Sequence, residues 1–187
     1  MHKSRHFKAI PYKRTSLHRS KMSLLTPALQ TYSILAASLA AGANLTTSII
    51  TFPALLHATG QTLTKQWLIL YEAGIVPVTG CALTSSLGFA TLAYRASFSP
   101  TLTTTGVSHA KGHLYVAAAV GLFGLAPYTR LLMWSTITEI SNRARSGKEA
   151  SEKADTRELV ERWGTMNFWR GVMLLGSAGA GVWASLL

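Results

Sequence analysis

Four long apolar stretches, separated by polar or charged segments, set the pattern of this chain. From Met22 to Leu56 no charged side chain occurs. Within that stretch residues 32–54 read as a first span, and Tyr32 to Ile50 alone crosses a hydrocarbon core of about 30 Å at about 1.5 Å per residue. Residues 68–92 form a second, with Glu72 the only charge between Lys65 and Arg95. Residues 113–133 form a third, apolar except for Arg130 near its end. Residues 164–187 form a fourth, apolar except for Arg170 near its start. Small residues recur four apart in Gly80, Thr84 and Gly88, in Ala117 and Gly121, and in Ser177 and Gly181, which lets helix backbones approach closely in lipid. The pattern predicts an all-α fold, a four-helix transmembrane bundle.

The segments between the spans have their own signals. Ser135 to Trp163 carries six basic and six acidic residues and reads as a solvated connection. Its last part, Asp155 to Arg162, is expected to extend the fourth helix, with Asp155 as cap and Glu158 as capping-box partner. Arg95 to Lys111 is rich in Ser and Thr, contains Pro100 and Gly106, and reads as an irregular loop. Pro77 and Pro127 each remove a backbone hydrogen bond inside a span and are expected to kink it, which often opens a cavity.

Composition supports the membrane reading, with 48% of the 187 residues hydrophobic and 13% charged, against about a quarter charged in soluble domains. Cys81 is the single cysteine, which excludes an intramolecular disulfide framework and a thiolate-rich metal site. A net charge of +11 points to nucleic acid only until it is mapped. Seven of the 18 Lys and Arg precede Met22 with no acid among them, and the remainder of the chain carries +4. Residues 1–21 are therefore a basic extension, expected to be disordered and similar to a transit peptide or an extended start, and residues 22–187 are the membrane domain. No groove-reading module or aromatic basic platform accompanies the extension, so nucleic acid is not an expected partner. The sequon Asn44, Leu45, Thr46 falls inside the first span, out of reach of glycosylation, and reads as chance.

Successive spans alternate direction, so the end of the first, start of the second, end of the third and start of the fourth share one membrane face. That face receives Pro53 and His57, Tyr71 and Glu72, Tyr128, Thr129 and Arg130, and Asn167 and Arg170. Trp67, Tyr71 and Gly74 stand at i, i+4 and i+7, and Trp163, Asn167 and Arg170 repeat that spacing, so each set makes one helical stripe. Trp67 and Trp163 read as interfacial anchors. Asn167 and Arg170 facing lipid would carry unsatisfied donors into hydrocarbon, so both are expected to turn inward. Two readings of Arg170 then stand with equal weight. It forms a structural ion pair with Glu72, or it holds an anionic substrate or intermediate while Glu72 or Tyr71 handles a proton.

No phosphate loop, nucleophile elbow, haem-attachment or dinucleotide motif occurs. Nor is a metal site expected: His2, His6 and His18 lie in the basic extension, His57 is alone in its loop, and His109 and His113 sit at the other face without a carboxylate nearby.

The Pro53 end of the first span, the segment Trp67, Tyr71, Gly74 and Pro77, the run Ala126, Pro127, Tyr128, Thr129, and the closing Trp163, Asn167, Arg170 together resemble the DUF1772 family, which includes fungal anthrone oxygenases. The resemblance covers about Ser23 to Leu187. Many relatives follow the Ala-Pro-x-Thr run with a Pro-Asn type turn, where this chain has Met133, Trp134, Ser135 and Thr136. The resemblance implies oxidation of an anthrone-type aromatic polyketide to the anthraquinone in secondary metabolism, with molecular oxygen as co-substrate and no cofactor. For that chemistry, facing geometry and charge type point to Arg170 and Asn167 for oxyanion binding and to Tyr71 and Glu72 for proton handling. Tyr128, Thr129, Arg130, His57 and Trp163 would shape the substrate pocket. The expected partners are a lipophilic aromatic polyketide, membrane lipid and other enzymes of a pathway.

Two other functions stay open: a cofactor-free polyketide cyclase or isomerase, and a non-catalytic membrane scaffold. Orientation is open too, because residues 1–21 decide which face carries more Lys and Arg. The expected location is an endomembrane, endoplasmic reticulum or vesicle, with the mitochondrion as a further option.

Overall fold

The computed structural model describes residues 14–98 and 106–187, with side chains described within 25–97 and 109–187. Helix α1 (Arg14–Thr46) passes through a π-helical turn at Thr47–Thr51 into the short α2 (Phe52–Leu55). The chain reverses and α3 (Gly60–Phe98) runs as one continuous helix containing Pro77. Helix α4 (Gly106–Phe123) breaks at Gly124, and α5 (Leu125–Tyr128), a second π turn at Thr129–Met133 and α6 (Trp134–Ser146) continue it. Helices α7 (Lys148–Ser151) and α8 (Thr156–Leu186) complete the chain, and all regular structure among the described residues is helical. Each π turn adjoins a proline, Pro53 or Pro127, that cannot donate to the helical ladder.

Leu25–Leu55, Gly60–Ser97 and His109–Ser146 are long and apolar enough to cross a membrane, and on that basis the chain is a membrane protein. Helix α8 packs beside them, against α1 and α4, while α3 packs against α1 and α4 on the other side. One apolar cluster, around Phe89, Tyr115, Leu122 and Leu174, fills the half of the bundle remote from the α1–α3 turn. A second, around Phe52, Trp67, Met133, Ile140 and Trp163, gathers the helix ends expected to share a face. Gly88 abuts Ser33, Gly121 abuts Ser177 and Gly181 abuts Phe89 so closely that a Cβ would collide, which is the close approach that small residues permit. Gly80, by contrast, faces open space.

Several expectations are corrected. Helix α1 begins at Arg14; residues 1–13, most of the basic extension, and the middle of the Arg95 to Lys111 loop, 99–105, lie outside the described residues. The segment after Ser135 is not simply a solvated connection. Ile137, Ile140 and Ala144 stand at i, i+3 and i+7 and give α6 a buried stripe, so it remains helical despite its charges. Asp155 precedes α8 but makes no side-chain cap bond. Its two oxygens instead accept from Arg143 Nη1 at 2.7 Å and Nη2 at 2.8 Å, because a bidentate ion pair with a guanidinium outcompetes a single bond to a neutral backbone N–H. Arg143, buried on α6, also donates to Glu139 at 2.8 Å and to Thr156 Oγ1 at 2.8 Å, which ties α6 to the start of α8.

Hydrogen bonds from the Arg143 guanidinium hold the Asp155 carboxyl below the usual carboxylate range. A carboxyl with a lowered folded-state pKa adds stability above its unfolded pKa of about 3.9, and that stability is lost as pH falls through the folded value. Thermal unfolding in lipid nanodiscs should therefore shift to lower temperature on acidification below about pH 4, and Asp155→Asn should flatten that dependence.

Candidate functional site

A cavity of about 230 Å³ opens between α1, α3 and α8 at the polar end of the bundle. Its wall from α3 is Leu70, Tyr71, Ala73, Gly74, Ile75 and Val78, and its wall from α8 is Trp163, Asn167 and Arg170. Trp163, Asn167 and Arg170 of one expected stripe all face this space, as do Tyr71 and Gly74 of the other, while Trp67 is not among the lining residues. Helix α1 contributes Ala43 and Asn44 and the π turn after it contributes Thr47, none of which was expected at the site.

Arg170 is 6% exposed, its Nε has no hydrogen-bond partner, and no carboxylate pairs with it among the described residues. Its electrostatic neighbours are the phenols of Tyr71 and Tyr128. A smaller crevice of about 50 Å³ reaches the same guanidinium from the other side of α3, lined by Thr79, Ala82, Leu122, Ala126 and Thr129 among others. Ile75 and Arg170 line both spaces.

Asn167 is fully buried and donates to Ser48 Oγ at 2.9 Å and to the backbone oxygen of Asn44 at 3.3 Å. Ser48 Oγ in turn donates to that same backbone oxygen at 3.0 Å. Asn167 thus fastens α8 to α1 at the mouth of the first π turn, and its amide protons are spent on that seam. Trp67 and Trp163 are not interfacial anchors. Both are buried, packed edge to face at 5.4 Å, and Trp67 stacks on Tyr71 at 5.3 Å. Neither indole N–H has a partner. Their position near helix ends is what an interfacial belt also produces, and only the packing of α3 against α8 separates the two cases.

Glu72 departs most from expectation. It does not pair with Arg170; it is more than half exposed and binds Arg145 Nη2 at 3.0 Å across to α6. Glu72 is absent from the cavity wall that its neighbours Tyr71 and Ala73 help to form. Surface pairs of this kind contribute only about 0–1 kcal/mol, so Glu72→Gln should keep turnover within about twofold of wild type; a larger loss in a steady-state assay would return Glu72 to the site.

The other expected pocket residues divide. Thr129 lines the small crevice, and Tyr128 donates to the backbone oxygen of Met166 at 3.3 Å from half-buried surroundings. Arg130 points outward over Trp134 at 5.0 Å and His57 is exposed in the α1–α3 turn, so neither reaches the cavity. His109 and His113 are exposed on α4. No cluster of three or more His, Cys, Asp or Glu able to hold a metal occurs among the described residues.

The unpaired atoms around the cavity share one chemistry. Asn44, Trp163 and Arg170 line it, Trp67 packs against Trp163, and Asn44 Nδ2, Trp163 Nε1, Arg170 Nε and Trp67 Nε1 are all buried N–H donors without an acceptor. Such groups are costly to bury unpaired. The arrangement suits a flat apolar ligand that brings oxygen acceptors, above all one bearing negative charge.

In comparisons with known proteins, residues 67–180 match the family model described as anthrone oxygenase. No curated protein and no solved structure matches the chain.

Proposed function

The chain belongs to the anthrone oxygenase family, and from that premise we propose that it oxidises an anthrone-type aromatic polyketide to the anthraquinone with dioxygen and without a cofactor. The observation that carries this reading is the buried Arg170 guanidinium with no carboxylate partner beside a largely apolar cavity. An anthrone becomes reactive towards dioxygen once its methylene loses a proton, because the resulting enolate spreads charge onto oxygen. A fixed cation in a low-dielectric site stabilises that charge strongly.

Tyr71, beside Arg170 and at the cavity wall, donates its phenol O–H to the developing enolate oxygen in this scheme, and the methylene proton leaves to solvent water at the open end of the cavity. The enolate passes one electron to dioxygen, and the radical pair joins to form a carbon–oxygen bond at the former methylene. The peroxide then loses water: the second C–H bond and the O–O bond break, and the carbonyl forms. One anthrone and one dioxygen give one quinone and one water. The crevice on the far side of α3 leaves room for dioxygen next to the same guanidinium. Helix α8 serves as a fourth span, with Arg170 held inward by its neighbours, and the protein resides in an endomembrane where a lipophilic substrate reaches the cavity between α1 and α3.

Labelled dioxygen tests the reading. With purified protein and an anthrone, one labelled oxygen atom should enter each quinone at the former methylene, with one dioxygen consumed per turnover. A cyclase or isomerase consumes none, and a scaffold forms no product above the spontaneous rate.

A further inference from the structure

Asn44 lies on α1, one turn before the Thr47–Thr51 π turn and outside the stretch matched by the family model. It lines the cavity and is 5% exposed. Its neighbours Ser48 and Asn167 are partnered: they bond to each other, and both donate to the backbone oxygen of Asn44. The Asn44 side-chain amide takes no part in that arrangement, and its NH2 group has no acceptor among the described residues. An apolar side chain of the same branching, such as leucine, would cover this wall without burying unpaired donors. The asparagine therefore has a use at the cavity that packing does not supply.

We propose that Asn44 is a specificity-determining residue whose amide donates to an oxygen of the bound ligand while Arg170 holds another. The ligand class is then a planar aromatic with oxygen acceptors at two separate places. The aromatic part of this statement rests on the function proposed above; the two-donor geometry rests on Asn44 and Arg170 alone.

The test is equilibrium binding to the full-length protein in nanodiscs, read by quenching of tryptophan fluorescence, with anthraquinone and with anthracene, its oxygen-free counterpart. Losing one buried hydrogen bond weakens binding about tenfold, so Asn44→Leu should lose about that factor for anthraquinone and leave anthracene within about twofold. Asn44→Asp, nearly identical in shape, should lose at least as much for anthraquinone, since a carboxylate repels a carbonyl oxygen. An equal loss for both ligands, or an unchanged affinity for anthraquinone, overturns the proposal. A second measurement needs no variant: in the infrared spectrum of anthraquinone bound to wild type, both carbonyl bands should be shifted by hydrogen bonding. A persistent free-carbonyl band overturns the proposal even where the variants do not fold. Both measurements are independent of turnover, so a protein that binds as stated but consumes no dioxygen overturns the proposed reaction and not the role of Asn44.

Discussion

Replacing Arg170 by leucine should lower quinone formation at least about 100-fold, the cost of deleting a donor aimed at a developing oxyanion, while the protein still inserts and elutes as wild type. The expectation follows from what Arg170 lacks. A buried arginine that served only the fold would be paired with a carboxylate, because an uncompensated charge in a low-dielectric interior is strongly unfavourable. Here Glu72 is turned away to Arg145 and the guanidinium is left beside two phenols. Leucine removes the charge and relieves that unfavourable burial, so the variant should match or exceed wild type in thermal stability while losing activity. Arg170→Lys keeps the charge but not the planar fork, and should fall between the two in turnover. Loss of folding together with activity in Arg170→Leu would instead make the residue a structural one. Steady-state turnover and thermal unfolding on the same preparation separate these outcomes.

Gly171→Val should cause the largest loss of stability among single substitutions of the α1–α8 seam. A Cβ at Gly171 meets the Leu45 side chain at 2.7 Å and the Leu45 backbone nitrogen at 3.3 Å. The side chain can swing aside but the backbone cannot, so α1 and α8 must separate. Overpacking of this kind costs about 1–3 kcal/mol, which thermal unfolding in nanodiscs resolves. Separation at Gly171 also pulls on the Asn167 bonds to Ser48 and Asn44 one turn away, so turnover should fall with stability. Gly176→Val is the control: nothing lies within 4 Å of a Cβ there, and it should be close to neutral. Equal effects at the two positions would mean that the seam is looser than described.

The sequence made the helices and the convergence of their ends legible, for reasons that particular residues show. Helical spacing alone put Tyr71 and Gly74 on one face and Trp163, Asn167 and Arg170 on another, and the two faces line one cavity. What spacing cannot give is a competing partner from an unforeseen helix. Glu72 looked like the natural acceptor for Arg170 while Ser135 to Trp163 was read as solvated. Once α6 continues the third rod, Arg145 reaches Glu72 on the outer surface. The same extension brings Arg143 to Asp155 and removes the expected cap. Asn44 was hidden differently. Its only sequence signal was a glycosylation pattern, and its meaning depends on the face of α1 packed beside Asn167. The π turns were hidden too, since Pro53 and Pro127 signal a disturbed ladder but not the form the disturbance takes.

The most direct test of the account compares anthrone consumption by membranes containing this protein with that by empty membranes, in air and under nitrogen, corrected for spontaneous oxidation. Quinone formation above background in air that disappears under nitrogen is the predicted result. No acceleration in air with a panel of anthrones, or an acceleration that persists under nitrogen, would contradict the account.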